Sequence, residues 1–158
     1  MKQTVFEPAA RVPLIMAGAG VSTHARGCTR PVELLDIYPT LAEICKLEGT
    51  PATLHGRSLL PLLNNPSAQW DKPAISQVRR PSGKGGFVMG YSLRTERYRY
   101  STREQGGAGE ELYDYQTDPR EIRNMAQDAS MGKLKQQLHT RLMSICRERG
   151  MSPQPGTA

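Results

Sequence analysis

Few side chains in this sequence have the type and spacing that chemistry needs. Arg79 and Arg80 are adjacent and stand before the turn-forming run Pro81-Ser82-Gly83-Lys84-Gly85-Gly86. Two guanidinium groups beside such a loop could grip an anionic sugar, because each offers a rigid fork of donors to paired acceptor oxygens. For Arg80 the competing reading is a salt bridge that pins the loop. Cys28, Cys45 and Cys146 are odd in number and widely spaced. They form no C-x-x-C pair, so no zinc site is expected, and a single disulfide cannot be assigned by spacing. Asp36 and His55 could each serve as a metal ligand in isolation. Asp36 precedes a helical pattern and reads as its cap, and His55 reads as a loop residue.

The elements that would position these groups follow from periodicity. Phe87, Met89, Tyr91 and Leu93 alternate at period two, which predicts a strand with one buried face. Glu96 and Arg97 break the pattern. Tyr98 and Tyr100 resume it, with Arg99 and Ser101 pointing the other way. The Gly-rich loop Gly106-Gly107-Ala108-Gly109 leads into Leu112 to Tyr115, and Asp118-Pro119 forms a turn. Three short strands with tight connections read as an antiparallel meander. Ala74 to Val78 adds an edge strand.

Met131, Leu134, Leu138, Leu142 and Ile145 form the apolar stripe of a last helix over residues 130–148, with Ser130 as its N-cap and Gly150 just past its end. His139 lies off that stripe and is expected in solvent. Earlier in the chain, Ile37, Leu41 and Ile44 predict a helix. The run Val12 to Ala17 is apolar on both sides, as suits a strand inside a covered sheet. Few later segments could flank that strand, so the chain reads as incomplete.

The chain has 158 residues and a formal net charge of +6, with 37% hydrophobic residues, twelve prolines and one tryptophan. No apolar run is long enough for a membrane span, and no signal peptide is visible. A basic balance admits a stand-alone module for nucleic acid or another polyanion. Its candidates are Arg79, Arg80, Lys84, Arg94, Arg97, Arg99 and Arg103. Alternation separates Arg97 and Arg99 from the tyrosines, which read as core, and the other charges are interspersed. No nucleic-acid partner is expected.

Several of these stretches resemble one family. The pattern ELYDY-x-x-DP-x-E-x-x-NMA, preceded by MGYSLRTERYRYS, is similar to the C-terminal subdomain of type I sulfatases, and most similar to the iduronate-2-sulfatase group and its bacterial relatives. The opening K-Q-T-V-F-E-P-A-A-R-V-P-L-I, VELLDIYPTLAEIC and G-R-S-L-L-P-L-L match further family segments in the same order. The resemblance runs from Lys2 to about Arg149. It implies an α/β fold of the alkaline phosphatase-like superfamily. This chain would be mainly its C-terminal α+β part, a small antiparallel sheet packed on a C-terminal helix, plus a late strand and helix of the large domain. Residues 1–64 would end the catalytic domain, 65–150 would form the antiparallel-sheet subdomain, and 151–158 a disordered tail.

The resemblance also assigns roles. Lys2 matches the lysine that reaches the substrate's sulfate, where an ammonium stabilises negative charge on oxygen. Arg80 matches the arginine of S-Q-x-x-R-P, and Arg79 has no such support. The family uses calcium and a formylglycine made by oxidising a cysteine in a C-x-P-x-R setting. Cys28 stands in C-T-R-P, with Arg30 where proline is required. The chain is therefore expected to lack nucleophile and metal ligands and to be inactive alone. Its expected partners are the N-terminal catalytic part of the same enzyme and a sulfated sugar. Relatives of this kind are commonly exported.

Overall fold

A computed structural model describes residues 4–21, 26–82 and 85–151. Among them lie four α-helices: α1 (Glu7–Ala10), α2 (Ile37–Ile44), α3 (Leu60–Asn64) and α4 (Gly132–Glu148). Four strands accompany them: β1 (Ala74–Pro81), β2 (Phe87–Arg94), β3 (Tyr98–Arg103) and β4 (Glu110–Asp114). The chain divides into two compact units, Met1–Val12 with Ala74–Ala158, and Pro13–Pro73.

In the first unit the strands form one antiparallel sheet in the order β1-β2-β3-β4. Register places Tyr91 beside Thr102, Leu93 beside Tyr100, and Tyr100 beside Leu112. These rows share the face on which α4 packs. Leu93, Tyr100, Leu112 and Leu142 are wholly buried there, with Tyr91, Ala126, Leu138 and Cys146 around them. The helical stripe read from the sequence thus docks on the tyrosine and leucine face. Phe87 is an exception: it is 54% exposed and lies under the Arg79 guanidinium, 3.7 Å away.

The reverse face of the sheet is not left to solvent. Ser92 pairs with Ser101 and Arg99 with Tyr113, and Ser92, Arg99, Ser101 and Tyr113 are all buried. The segment from Thr4 through α1 covers them, with Phe6 packed edge-on against Tyr113. Alternation alone shows which side a residue takes. It does not show that a distant segment will close over that side. The free edge of β4 is also occupied: Asn124 accepts from the Leu112 amide and donates to the Glu110 carbonyl, at 3.0 Å each. An exposed row of ladder groups is thereby blocked.

Two local expectations at α4 are corrected. Asp128, not Ser130, caps the turn leading into the helix, and its carboxylate accepts from the Ser130 amide at 2.9 Å. His139 is not in open solvent: its Nδ1 lies 2.9 Å from the Tyr100 hydroxyl, which donates to Glu110. A hydroxyl already donating there leaves its oxygen as acceptor for the imidazole N–H. Gly150 does sit past the helix end with φ 64°, and the Met151 amide reaches back to the Cys146 carbonyl. Residues 152–158 lie outside the described residues.

The second unit is built around a buried carboxylate. Asp36 has no exposure and accepts from the amides of Glu33 and Arg57, at 2.9 and 2.8 Å, and from the Lys72 ammonium at 2.7 Å. Lys72 also pairs with Glu33. Asp36 occupies the N-cap position of α2, yet its side chain makes no cap bond to that helix. It ties three separated stretches together instead. Thr40 receives the Leu59 amide at 2.8 Å, and Leu59, Leu62 and Trp70 form a small apolar cluster. Gly56 is required by close approach, since a Cβ there would stand 2.0 Å from the Leu35 carbonyl oxygen. The helix predicted from Ile37, Leu41 and Ile44 forms as α2, with Thr40 and Ala42 as its buried residues and Leu41 46% exposed. Burial of the polar knot sets the helix rotation, overriding the apolar pattern. Residues 12–17 carry no strand pairing among the described residues, and Ile15 is 88% exposed. An apolar run becomes a strand only when neighbours supply its ladder, and Pro13 offers no amide.

Candidate functional site

The reverse face of the sheet carries an arginine-rich cluster in the same unit as the residues named for chemistry. At its centre is Arg99 on β3, only 2% exposed. Its guanidinium reaches Glu7 at 2.5 Å, Glu121 at 2.5 Å, the Val5 carbonyl at 2.6 Å and the Tyr115 hydroxyl at 2.9 Å. The Glu7 amide donates to Glu121 at 2.8 Å. Tyr115 lies 2.5 Å from Glu121 and 3.0 Å from Glu7, with one proton to give. Arg94 stacks over the Tyr115 ring at 3.4 Å and lies 3.7 Å from Glu7.

Burial acts to raise the Glu7 carboxyl, but the Tyr115 hydroxyl and the charges of Arg99 and Arg94 outweigh it. The net effect holds Glu7 below its usual value. Burial is also the main cause that pushes the Tyr115 phenol upward, reinforced by Glu121. The cluster is therefore a neutralised ion-pair knot at neutral pH, with each carboxylate already holding a cation.

Arg80 lies half-buried on β1 opposite Val88. With Thr4, Val5, Val78, Gly90, Ser101 and Arg103 it lines a hollow of about 10 Å³. That volume takes roughly one water. Arg103 is paired with Glu111 at 3.2 Å, and Arg97 makes a two-pronged pair with Asp114. Lys2 and Lys84 lie outside the described residues. The structure thus brings Arg80 to the segment that begins at Thr4, two positions after Lys2 in the chain. Sequence reasoning placed Arg99 only among the arginines of a polyanion surface and missed Glu7, Tyr115 and Glu121, whose only signal was that they fall inside the matched motifs.

Among the described residues no three His, Cys, Asp or Glu side chains are grouped to hold a metal ion. The paired carboxylates Glu7 and Glu121 do not fit a calcium site either, because a buried guanidinium already fills the space between them. No step through calcium is therefore assigned to residues of this chain. The three cysteines are unpaired; Cys28 and Cys45 are exposed and Cys146 is buried.

An antiparallel sheet packed on a C-terminal helix is the C-terminal part of an alkaline phosphatase-like sulfatase fold. A solved structure described as a 2-O GAG sulfatase superimposes with a TM-score of 0.68 at 27% identity, over 84% of this chain and 29% of that one. The family described as N-sulphoglucosamine sulphohydrolase, C-terminal, matches residues 1–148, and the chain belongs to it. Mouse arylsulfatase K is 33% identical over 132 residues, 79% of this chain and 23% of that protein. A Delta 4,5-hexuronate-2-O-sulfatase of Bacteroides thetaiotaomicron is 31% identical over 133 residues, 82% of this chain and 27% of that protein. The chain spans about a quarter of the length of these relatives.

Proposed function

We propose that the chain serves as the C-terminal part of a sulfatase that hydrolyses sulfate esters on a uronate-containing glycan, in the manner of the iduronate-2-sulfatase group. The observation that carries this reading is the family match over residues 1–148. Relatives named for hexuronate-2-O and 2-O GAG sulfatase activity support the substrate class. In this reading the formylglycine nucleophile and calcium belong to the N-terminal catalytic part, which is the chain's partner, and the chain alone turns over no sulfate ester. Residues 1–64 complete the catalytic domain and 65–150 form the C-terminal subdomain. Lys2 contacts the reacting sulfate, and Arg80 contacts the sugar or holds its loop.

The competing reading, a polyanion-binding module, needs arginines available to a ligand. Arg94, Arg97, Arg99 and Arg103 are each engaged by a carboxylate of the same unit, which favours the sulfatase reading.

The test is sulfate release by the enzyme that this chain completes. Lys2→Ala should lower turnover about 10²- to 10³-fold, the scale of a lost transition-state donor, while calcium stays bound. Arg80→Ala should impair sulfated uronates and spare a small aryl sulfate. Equal loss on both substrates assigns Arg80 to the loop, and near-normal turnover in Lys2→Ala removes the catalytic assignment.

A further inference from the structure

Arg79 and Arg80 are neighbours in sequence, but β1 sends their side chains to opposite faces of the sheet, because successive residues of a strand alternate. Arg80 lines the hollow on the reverse face with Thr4, Ser101 and Arg103. Arg79 stands opposite Met89 in register, on the face of the Phe87, Met89, Tyr91 and Leu93 row. Its guanidinium lies over the Phe87 ring, 3.7 Å from the centroid. The two cations therefore cannot close together on one anionic group.

Arg79 also differs from the other arginines of the strands in what holds it. Arg94 and Arg99 pair with Glu7, and Arg103 pairs with Glu111. Among the described residues no carboxylate lies within ion-pair distance of Arg79 and no acceptor takes its N–H groups; its partner is the Phe87 ring. Phe87 is just as unusual in its own row. Tyr91 and Leu93 are buried in the core and Met89 packs against it, whereas Phe87 stays 54% exposed at the hairpin end. Core packing does not explain an aromatic residue there, and a cation laid over it does. The hairpin that carries both is closed by the Ser82 amide, which donates to the Gly86 carbonyl at 2.9 Å. An arginine in open solvent has rotamer freedom that a ligand must remove on binding. A ring beneath the guanidinium removes part of it beforehand and leaves the N–H donors for acceptor oxygens.

We propose that Arg79, held on Phe87, binds a carboxylate or sulfate group of a uronate-containing glycan, on a sugar unit other than the one that Arg80 faces. The proposal rests on the sulfatase reading above and narrows its substrate to an oligosaccharide, since a single sugar does not reach both faces of the hairpin.

The experiment titrates the 158-residue chain with a heparin-derived hexasaccharide at physiological salt and follows binding by calorimetry. The wild-type chain should bind. Arg79→Gln should weaken binding about tenfold, the scale of a lost charge-assisted hydrogen bond. Phe87→Leu keeps every charge and should weaken it about threefold, the scale of an exposed cation–ring contact. Arg120→Gln, which removes an equally exposed arginine of the same unit, should stay within about twofold of wild type. A hexasaccharide stripped of sulfate but retaining its carboxylates separates the two ligand groups: a persisting Arg79→Gln loss assigns the carboxylate, and lost binding assigns the sulfate. No binding by the wild type, equal losses in Arg79→Gln and Arg120→Gln, or wild-type affinity in Phe87→Leu each overturns the proposal. So does tighter binding of a single-stranded oligonucleotide with the same Arg79→Gln loss, which would make a nucleic acid the ligand. Sulfate release by the enzyme that this chain completes tests the activity separately. Binding without release upholds the Arg79 contact and sinks the sulfatase reading, and release without binding does the reverse.

Discussion

Arg99 shows why a charge inside a sheet can be retained. Removing a guanidinium from water carries a large desolvation cost, which is offset only when several partners meet it in good geometry. Here two carboxylates, a carbonyl and a phenol do so, and three of the four belong to segments far from β3 in sequence. The pair energy stabilises the sheet less than it fixes where residues 5–7 and 121 lie. Arg99→Ala leaves Glu7 and Glu121 facing each other beneath that segment. It should cost about 3–5 kcal/mol, the scale for breaking a buried ion pair, measured by denaturant unfolding. Glu7→Gln in the Arg99→Ala background should restore part of the loss by removing one uncompensated charge, and strict additivity of the two changes would show that they do not interact.

Glu7 also sets an acid limit. Its carboxyl titrates below the usual value in the folded chain and near that value when unfolded. The unfolded state therefore binds the proton first, so this contribution is complete above the unfolded value and is lost as pH falls through the folded one. Glu110, held down by Lys135 and Tyr100 against the opposing effect of burial, acts in the same direction. Unfolding free energy should decline as pH drops below about 4.5, and Glu7→Gln should flatten part of that slope. An unchanged slope in the variant would remove Glu7 from the account.

At the scale of elements, the strands and the last helix were legible because short-range alternation and a long apolar stripe survive in any context. The stripe on α4 predicts its own docking face, and Leu138 and Leu142 are buried on it. Leu138→Asp places a carboxylate there with no partner. It should cost several kcal/mol, on the order of other buried unpaired charges, read from the melting temperature. An unchanged melting temperature would mean that the helix does not depend on this contact. What the sequence could not show is long-range closure. The Arg99 knot joins residues more than ninety positions apart, and the Asp36 knot joins residue 36 to 57 and 72. Neither has a period. The rotation of α2 was not legible for this reason, since its apolar residues follow helical spacing while its buried anchors are Asp36 and Thr40.

At the scale of the whole molecule, the two units carry unequal cores. The first has eight buried residues in its cluster, with α4 and strands β2, β3 and β4 contributing. The second has three, Leu59, Leu62 and Trp70, beneath a helix whose leucines face outward. Hydrophobic burial supplies most of the free energy that offsets chain entropy, at about 25 cal/mol per Å² of apolar surface. A unit with so little of it should open at lower denaturant than its neighbour in the chain. The single tryptophan makes this measurable, because Trp70 reports on the second unit alone: its indole donates to the Pro31 carbonyl at 3.0 Å, beneath the Arg57 guanidinium. Trp70 fluorescence should therefore change at lower urea than far-UV ellipticity, which is dominated by the sheet and α4. Coincident transitions in the isolated chain would show a single cooperative unit and would mean that Leu59, Leu62 and Trp70 draw support from more than their own cluster.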